Sequence, residues 1–148
     1  MNTPLTILLA DDDPADQQAF RWAVEDCGEN VDLRIVSDGD TALRYLFRKD
    51  IYQDAERYPQ PAAIVIDLNM PKVSGFAILN SLRLSPELNA VPVVVMSNST
   101  RPSDKIQTRG LGAREFCLKP NSPAEYQEVV FFVIGLAKHY LMQTAKAS

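Results

Sequence analysis

The stretch "LLADDDPAD" sets Asp11, Asp12 and Asp13 side by side directly after an apolar run. Carboxylates a few ångströms apart repel by several kcal/mol at an effective dielectric of about 20. They must take up protons or hold a cation. Oxygen ligands alone favour a hard ion, and a few carboxylates with room for water suit Mg2+ better than Ca2+. Taken alone, the triplet reads equally well as a solvated helix start with one capping Asp. Three further residues change that balance: Asp67 in "VIDLNMP", Ser97 in "VVVMSNS" and Lys119 in "FCLKP" each close a short apolar run. A phosphoryl group demands this set, with a carboxylate to receive it, a divalent cation and an ammonium to neutralise its oxygens, and a hydroxyl to bond one of them. No cluster of His and Cys competes as a metal site, since the sole histidine, His139, lies near the C-terminus.

The elements that must position these groups alternate along the chain. Apolar runs occur at 5–10 ("LTILLA"), 31–36 ("VDLRIV"), 62–67 ("AAIVID"), 91–97 ("VPVVVMS") and 114–118 ("REFCL"), and a helix-like stretch follows each. Three runs are close to continuously apolar and rich in Val and Ile, as strands buried on both faces must be. The first helix opens with Asp13 as N-cap and Pro14 at its first position, carries Phe20, Ala23, Val24 and Cys27 at helical spacing, and stops at Gly28. Five such alternations imply an α/β fold, a doubly wound parallel sheet with right-handed crossovers. Ligands in such sheets sit outside the carboxyl ends of the strands, at the point where strand order reverses. If the first and third strands are neighbours, Asp11, Asp12 and Asp67 meet at that edge.

Composition narrows the classes. The 148 residues suit one domain, 1–148, with a single core. A net charge of -4, from 15 basic and 19 acidic residues, argues against nucleic acid as a partner. The longest apolar stretch, "VVFFVIGLA" at 129–137, falls far short of the roughly 20 residues of a membrane span. The N-terminus lacks the basic region of a signal peptide, so a cytoplasmic location is expected. Cys27 and Cys117, without CxxC spacing, read as reduced small core residues. Neither GxxxxGK[ST] nor a GxGxxG after the first strand is present, which argues against nucleotide binding. An aspartyl phosphatase would carry an acid two residues past its nucleophile, where "DLN" has Asn69.

Together "ILLADDD", "VIDLNMPKVSG", "VVVMSNS" and "FCLKP", in this order and spacing, resemble the receiver domain of two-component response regulators, the chemotaxis-regulator class, over nearly the whole chain. The resemblance implies a flavodoxin-like five-stranded sheet in order 2-1-3-4-5 with five helices. By motif, Asp67 matches the phosphoacceptor and Lys119 the cation that partners the phosphate. Asp11 and Asp12 match the acidic pair, Asp12 as a direct Mg2+ ligand, and the backbone carbonyl of Asn69 would be a further ligand. Ser97 matches the switch hydroxyl and Phe116 the aromatic switch position. The Lys119–Pro120 bond matches a family position where the peptide is cis. The implied partner is a sensor histidine kinase. The implied activity is self-catalysed phosphotransfer and slow dephosphorylation rather than turnover of a substrate. A long second loop, "DIYQDAERYPQP" (50–61), and no output domain after the fifth helix resemble the small regulators paired with phytochrome-type histidine kinases.

Three positions depart from the commoner family pattern. Ser97 replaces a threonine, Asn98 stands where a small residue is usual, and Phe116 lacks a tyrosine hydroxyl. None removes a reacting group. In the fifth helix, Tyr126, Val130, Val133, Ala137 and Tyr140 share one stripe at about 100° per residue. Phe131 and Phe132 fall outside it, and an aromatic pair on a polar face suggests a docking surface. A homodimer through the fourth helix, fifth strand and fifth helix is expected. The competing reading is a pseudo-receiver, an interaction module that is never phosphorylated.

Overall fold

A computed structural model describes residues 3–147, the side chain of Ala147 excepted. The elements run β1 (Leu5–Ala10), α1 (Pro14–Asp26), β2 (Val31–Val36), α2 (Gly39–Leu46), a 3-10 turn (Asp50–Gln53), β3 (Ala63–Ile66), α3 (Gly75–Arg83), β4 (Val93–Ser97), α4 (Pro102–Gly110), β5 (Glu115–Leu118) and α5 (Pro123–Ala147). All pairings are parallel and the strand order is β2-β1-β3-β4-β5, as expected. The near-continuous apolar runs become the three central strands, in which every residue is buried. The edge strands β2 and β5 are mostly half-buried, because one side of an edge strand faces no neighbour.

Two apolar layers sandwich the sheet. On one face Phe20, Ala23 and Val24 of α1 pack with Tyr126, Val130, Val133, Ile134 and Ala137 of α5. On the other, Ala42, Tyr45 and Leu46 of α2 pack with Ile78, Leu79 and Leu82 of α3. α4 contributes one buried residue of its own, Thr108, and its N-terminus has no side-chain cap. Among the helices it is therefore the one with least apolar area to anchor it.

Segment 50–61 lies between α2 and β3, and its irregular chain is held by aromatic packing. Tyr45, Tyr52 and Tyr58 form a triad with ring centroids 4.8 to 6.0 Å apart. The Tyr45 hydroxyl donates to the carbonyl of Pro59 at 2.7 Å.

Three expectations need correction. Cys27 and Cys117 are free, but half-buried rather than core, since Cys27 follows the end of α1 and Cys117 lies on an edge strand. The described residues contain no cis peptide bond, so Lys119–Pro120 is trans, the isomer an unconstrained X-Pro bond prefers. Tyr140 on the α5 stripe is half-buried where the other four are buried.

Candidate functional site

The strand ladders continue one residue past their ends. The amide of Asp11 donates to Val36 at 3.1 Å, that of Asp67 to Ala10 at 2.9 Å and that of Lys119 to Ser97 at 2.9 Å. Backbone pairing thereby fixes Asp11, Asp67, Ser97 and Lys119 along one sheet edge before any side chain acts. Each carboxylate is then aimed locally. Asp11 Oδ1 accepts the amide of Asp13 at 2.9 Å, and Asp67 Oδ1 accepts that of Asn69 at 3.1 Å, both as Asx turns. Asp13 is engaged elsewhere, capping α1 by accepting from Ala15.

Two glycines allow the loop after β3 to close beneath the site. A Cβ on Gly75 would stand 2.8 Å from the carbonyl oxygen of Asp67 and 2.8 Å from the Cα of Leu68. A Cβ on Gly39 would collide with the backbone of Val73 in the same loop. Only glycine permits such approaches.

Asp11, Asp12 and Asp67 each present a carboxylate oxygen, and these oxygens lie within 4.8 Å of one another. Asp11 and Asp67 are buried, while Asp12 is exposed. Lys119, whose side chain is 7% exposed, directs its ammonium to Asp67 Oδ2 at 3.0 Å, Asp11 Oδ1 at 3.4 Å and Asp16 Oδ2 at 2.5 Å. It also lies 3.2 Å from Asp11 Oδ2, outside hydrogen-bond geometry, so that buried oxygen has no hydrogen-bond partner.

Three carboxylates share one ammonium, and two groups of the cluster, Asp11 and Lys119, have displaced protonation equilibria. Burial pushes the Asp11 carboxyl up to about 6, against the pull of the Asp13 amide and Lys119. Burial disfavours the charged form of Lys119, but its hydrogen bonds to Asp16 and Asp67 outweigh this and raise it above the usual lysine range. The donor set fits a hard divalent cation on two counts. It is all oxygen, and its one orphaned buried oxygen belongs to the cluster. Exposed Asp12 leaves an open side on which a Mg2+ ion would keep its waters.

Ser97 is fully buried, and its Oγ accepts the amide of Ser99 at 3.1 Å. Ser99 Oγ in turn donates to Asp104 Oδ2 at 2.5 Å, joining the end of β4 to the first turn of α4. Phe116 is half-buried and lines a groove of about 320 Å³ with Ser99, Arg101, Pro102, Lys105 and Leu118. Asn98 and Asn69 are exposed. Phe131 (62% exposed) and Phe132 (42%) lie on α5 away from the core, remote from the carboxylates in sequence and outside their contacts.

Sequence reasoning missed Asp16. Its carboxylate binds Lys119 on one oxygen and accepts the Tyr126 hydroxyl on the other at 3.3 Å. In the sequence it looks like an acid in the first turn of a helix, where the helix dipole alone accounts for it. It also missed Gln17, whose side chain donates to the carbonyl of Asp11 at 2.5 Å and to Ser37 Oγ at 3.0 Å, bracing the loop after β1.

A family model described as the response regulator receiver domain matches residues 7–131. Response regulator Rcp1 of Synechocystis sp. is 32% identical over 105 residues, 71% of this chain and 69% of that protein. The crystal structure of the Mn2+-bound form of Rcp1 superposes with a TM-score of 0.81 at 28% identity, covering 88% of this chain and 95% of the other. The phosphorylated cyanobacterial phytochrome response regulator RcpA gives 0.80 at 27% identity, covering 94% and 95%. Sheet order, strand-end chemistry and family match agree, and the chain belongs to the response regulator receiver domain family.

Proposed function

We propose that this chain is a phosphorylation-dependent switch in which Asp67 receives a phosphoryl group from a sensor histidine kinase, one of phytochrome type. The observation that carries the reading is the meeting of three carboxylates within 4.8 Å, with the Lys119 ammonium 3.0 Å from Asp67. Asp11, Asp12, Asp67 and the carbonyl of Asn69 would hold Mg2+, which when bound neutralises the oxygens of the transferring group. A carboxylate oxygen of Asp67 attacks phosphorus as the P–N bond of the phosphohistidine breaks, and the imidazole leaves with the electron pair and takes a proton. Lys119 bonds one phosphoryl oxygen and Ser97, whose Oγ already accepts from Ser99, donates its own proton to another. Receiver domains are in general phosphorylated by histidine kinases and bind Mg2+ at an acidic pocket, which supports the same roles here. Kinship with the phytochrome regulator RcpA supports the kinase class.

The switch acts on a two-state equilibrium. Phosphorylation adds roughly two negative charges, Ser97 is drawn toward them, and its link through Ser99 to Asp104 carries the shift into α4. α4 is held by a single buried residue and can respond. Phe116, beside the groove at the start of α4, turns inward as that loop moves. Ile106 of α4, Leu118 of β5 and Phe131 and Phe132 of α5 expose apolar surface on the three elements concerned, and a second copy of the chain covers it.

Beryllofluoride, a phosphoryl mimic, tests this. With Mg2+, 19F NMR should reveal bound fluorides, and sedimentation of the same samples at tens of micromolar should reveal a dimer. Binding by Asp67→Ala, or binding by wild type without Mg2+, would overturn the acceptor assignment. A monomer throughout would overturn the dimer.

A further inference from the structure

Asp16 lies outside the acidic trio and outside every motif that marks the site, yet it makes the shortest contact to the Lys119 ammonium. An ammonium has three N–H donors. Here they meet three carboxylates: Asp16 at 2.5 Å, Asp67 at 3.0 Å and Asp11 at 3.4 Å. Asp16 sits on α1, with its side chain 20% exposed, and its second oxygen accepts the hydroxyl of Tyr126 from the first turns of α5. Tyr126 is buried, and burial with the charge of Asp16 pushes its hydroxyl up to about 12, so it stays a donor at neutral pH. A flexible four-carbon stem is thus tied at its tip by a carboxylate that is itself held by Tyr126.

We propose that Asp16 is a positioning residue. It fixes the rotation of the Lys119 ammonium so that the donor now on Asp67 is already aimed where a phosphoryl oxygen will sit, and Tyr126 holds Asp16 in that pose. The proposal rests on Asp67 as acceptor and Lys119 as its cationic partner. Preorganisation of a charged donor matters because a misplacement of about 1 Å can cost on the order of a hundredfold in rate. Asp16 is distinct from the trio of carboxylates, Asp11, Asp12 and Asp67, whose oxygens converge.

The experiment measures phosphorylation rates with acetyl phosphate at saturating Mg2+, so that altered metal affinity drops out. Asp16→Ala should label about tenfold more slowly than wild type. Asp16→Asn, which keeps an oxygen acceptor for Lys119, should recover most of the rate. Tyr126→Phe should slow labelling in the same direction by less, and Asp16→Ala/Tyr126→Phe should be no slower than Asp16→Ala, the non-additivity of residues acting through one contact. In metal-free protein, 15N NMR should detect the Lys119 ammonium protected from water exchange in wild type and Asp16→Asn, and exchanging in Asp16→Ala. This readout does not depend on labelling. Equal rates for Asp16→Ala and wild type, or an Asp16→Asn variant as slow as Asp16→Ala, would overturn the positioning role. Failure of wild type to label at all would instead overturn the acceptor reading on which it rests.

Discussion

Asp11 bears the largest electrostatic burden of the site. It is fully buried, shares Lys119 with two other carboxylates and has an oxygen without a hydrogen-bond partner. Its carboxyl, pushed up to about 6, keeps its proton in the folded protein at pH values where the unfolded chain has lost it. The folded state therefore binds more protons between pH ~4 and ~6, and its stability falls as pH rises through that window, by about 2–3 kcal/mol without metal. Asp11→Asn removes the penalty. In metal-free denaturant titrations the variant should be more stable than wild type at pH 7.5, with the gap closing toward pH 4, and Mg2+ should stabilise wild type far more than the variant. A variant less stable than wild type at pH 7.5 would contradict this. The sequence made the shared position of Asp67, Ser97 and Lys119 at one sheet edge readable because each ends an apolar run. Asp16 was not readable, because its partner lies 103 residues away and nothing local marks the pair.

At the scale of elements, the central strands were legible because burial on both faces writes itself as an unbroken apolar run. The edge strands carry weaker signals, and "VDLRIV" mixes charge into its run because β2 is only half covered. The triad of Tyr45, Tyr52 and Tyr58 had no periodicity to announce it, since two of its rings come from the irregular chain of 50–61. Gly75 closes the motif "VIDLNMPKVSG", but its reason, the approach of α3 to the carbonyl of Asp67, appears only in three dimensions. That approach gives a prediction about elements. Gly75→Ala must push the start of α3 from the end of β3, costing about 1–3 kcal/mol as overpacking does and displacing Asp67. Thermal unfolding should detect the loss, and phosphorylation at saturating Mg2+ should slow. Gly110, where an added Cβ meets nothing, is the control, and Gly110→Ala should leave both unchanged or slightly improved. Unaltered stability in Gly75→Ala would mean the loop has slack that the geometry denies.

Across the whole molecule, the carboxylates, Ser97 and Lys119 sit at one edge of the sheet, while α4, β5 and α5 carry exposed apolar side chains in Ile106, Leu118, Phe131 and Phe132. α1 and α5 share one layer, and the Tyr126–Asp16–Lys119 contacts tie that layer to Asp67. α4, loosely held, is tied to the site through Ser97, Ser99 and Asp104. Among the described residues no helix is long and apolar enough to cross a membrane. The proposed function depends on Asp67 being phosphorylated with Mg2+ that Asp11, Asp12 and Asp67 would hold. The most direct measurement is peptide mapping by mass spectrometry after acetyl phosphate treatment of wild type, Asp67→Asn and Asp12→Asn over a range of Mg2+ concentrations. One phosphoryl group on the peptide containing Asp67, saturating with Mg2+, absent in Asp67→Asn and requiring much higher Mg2+ in Asp12→Asn, is the predicted result. A phosphoryl group on another residue, or on Asp67 with no dependence on Mg2+, would contradict the account.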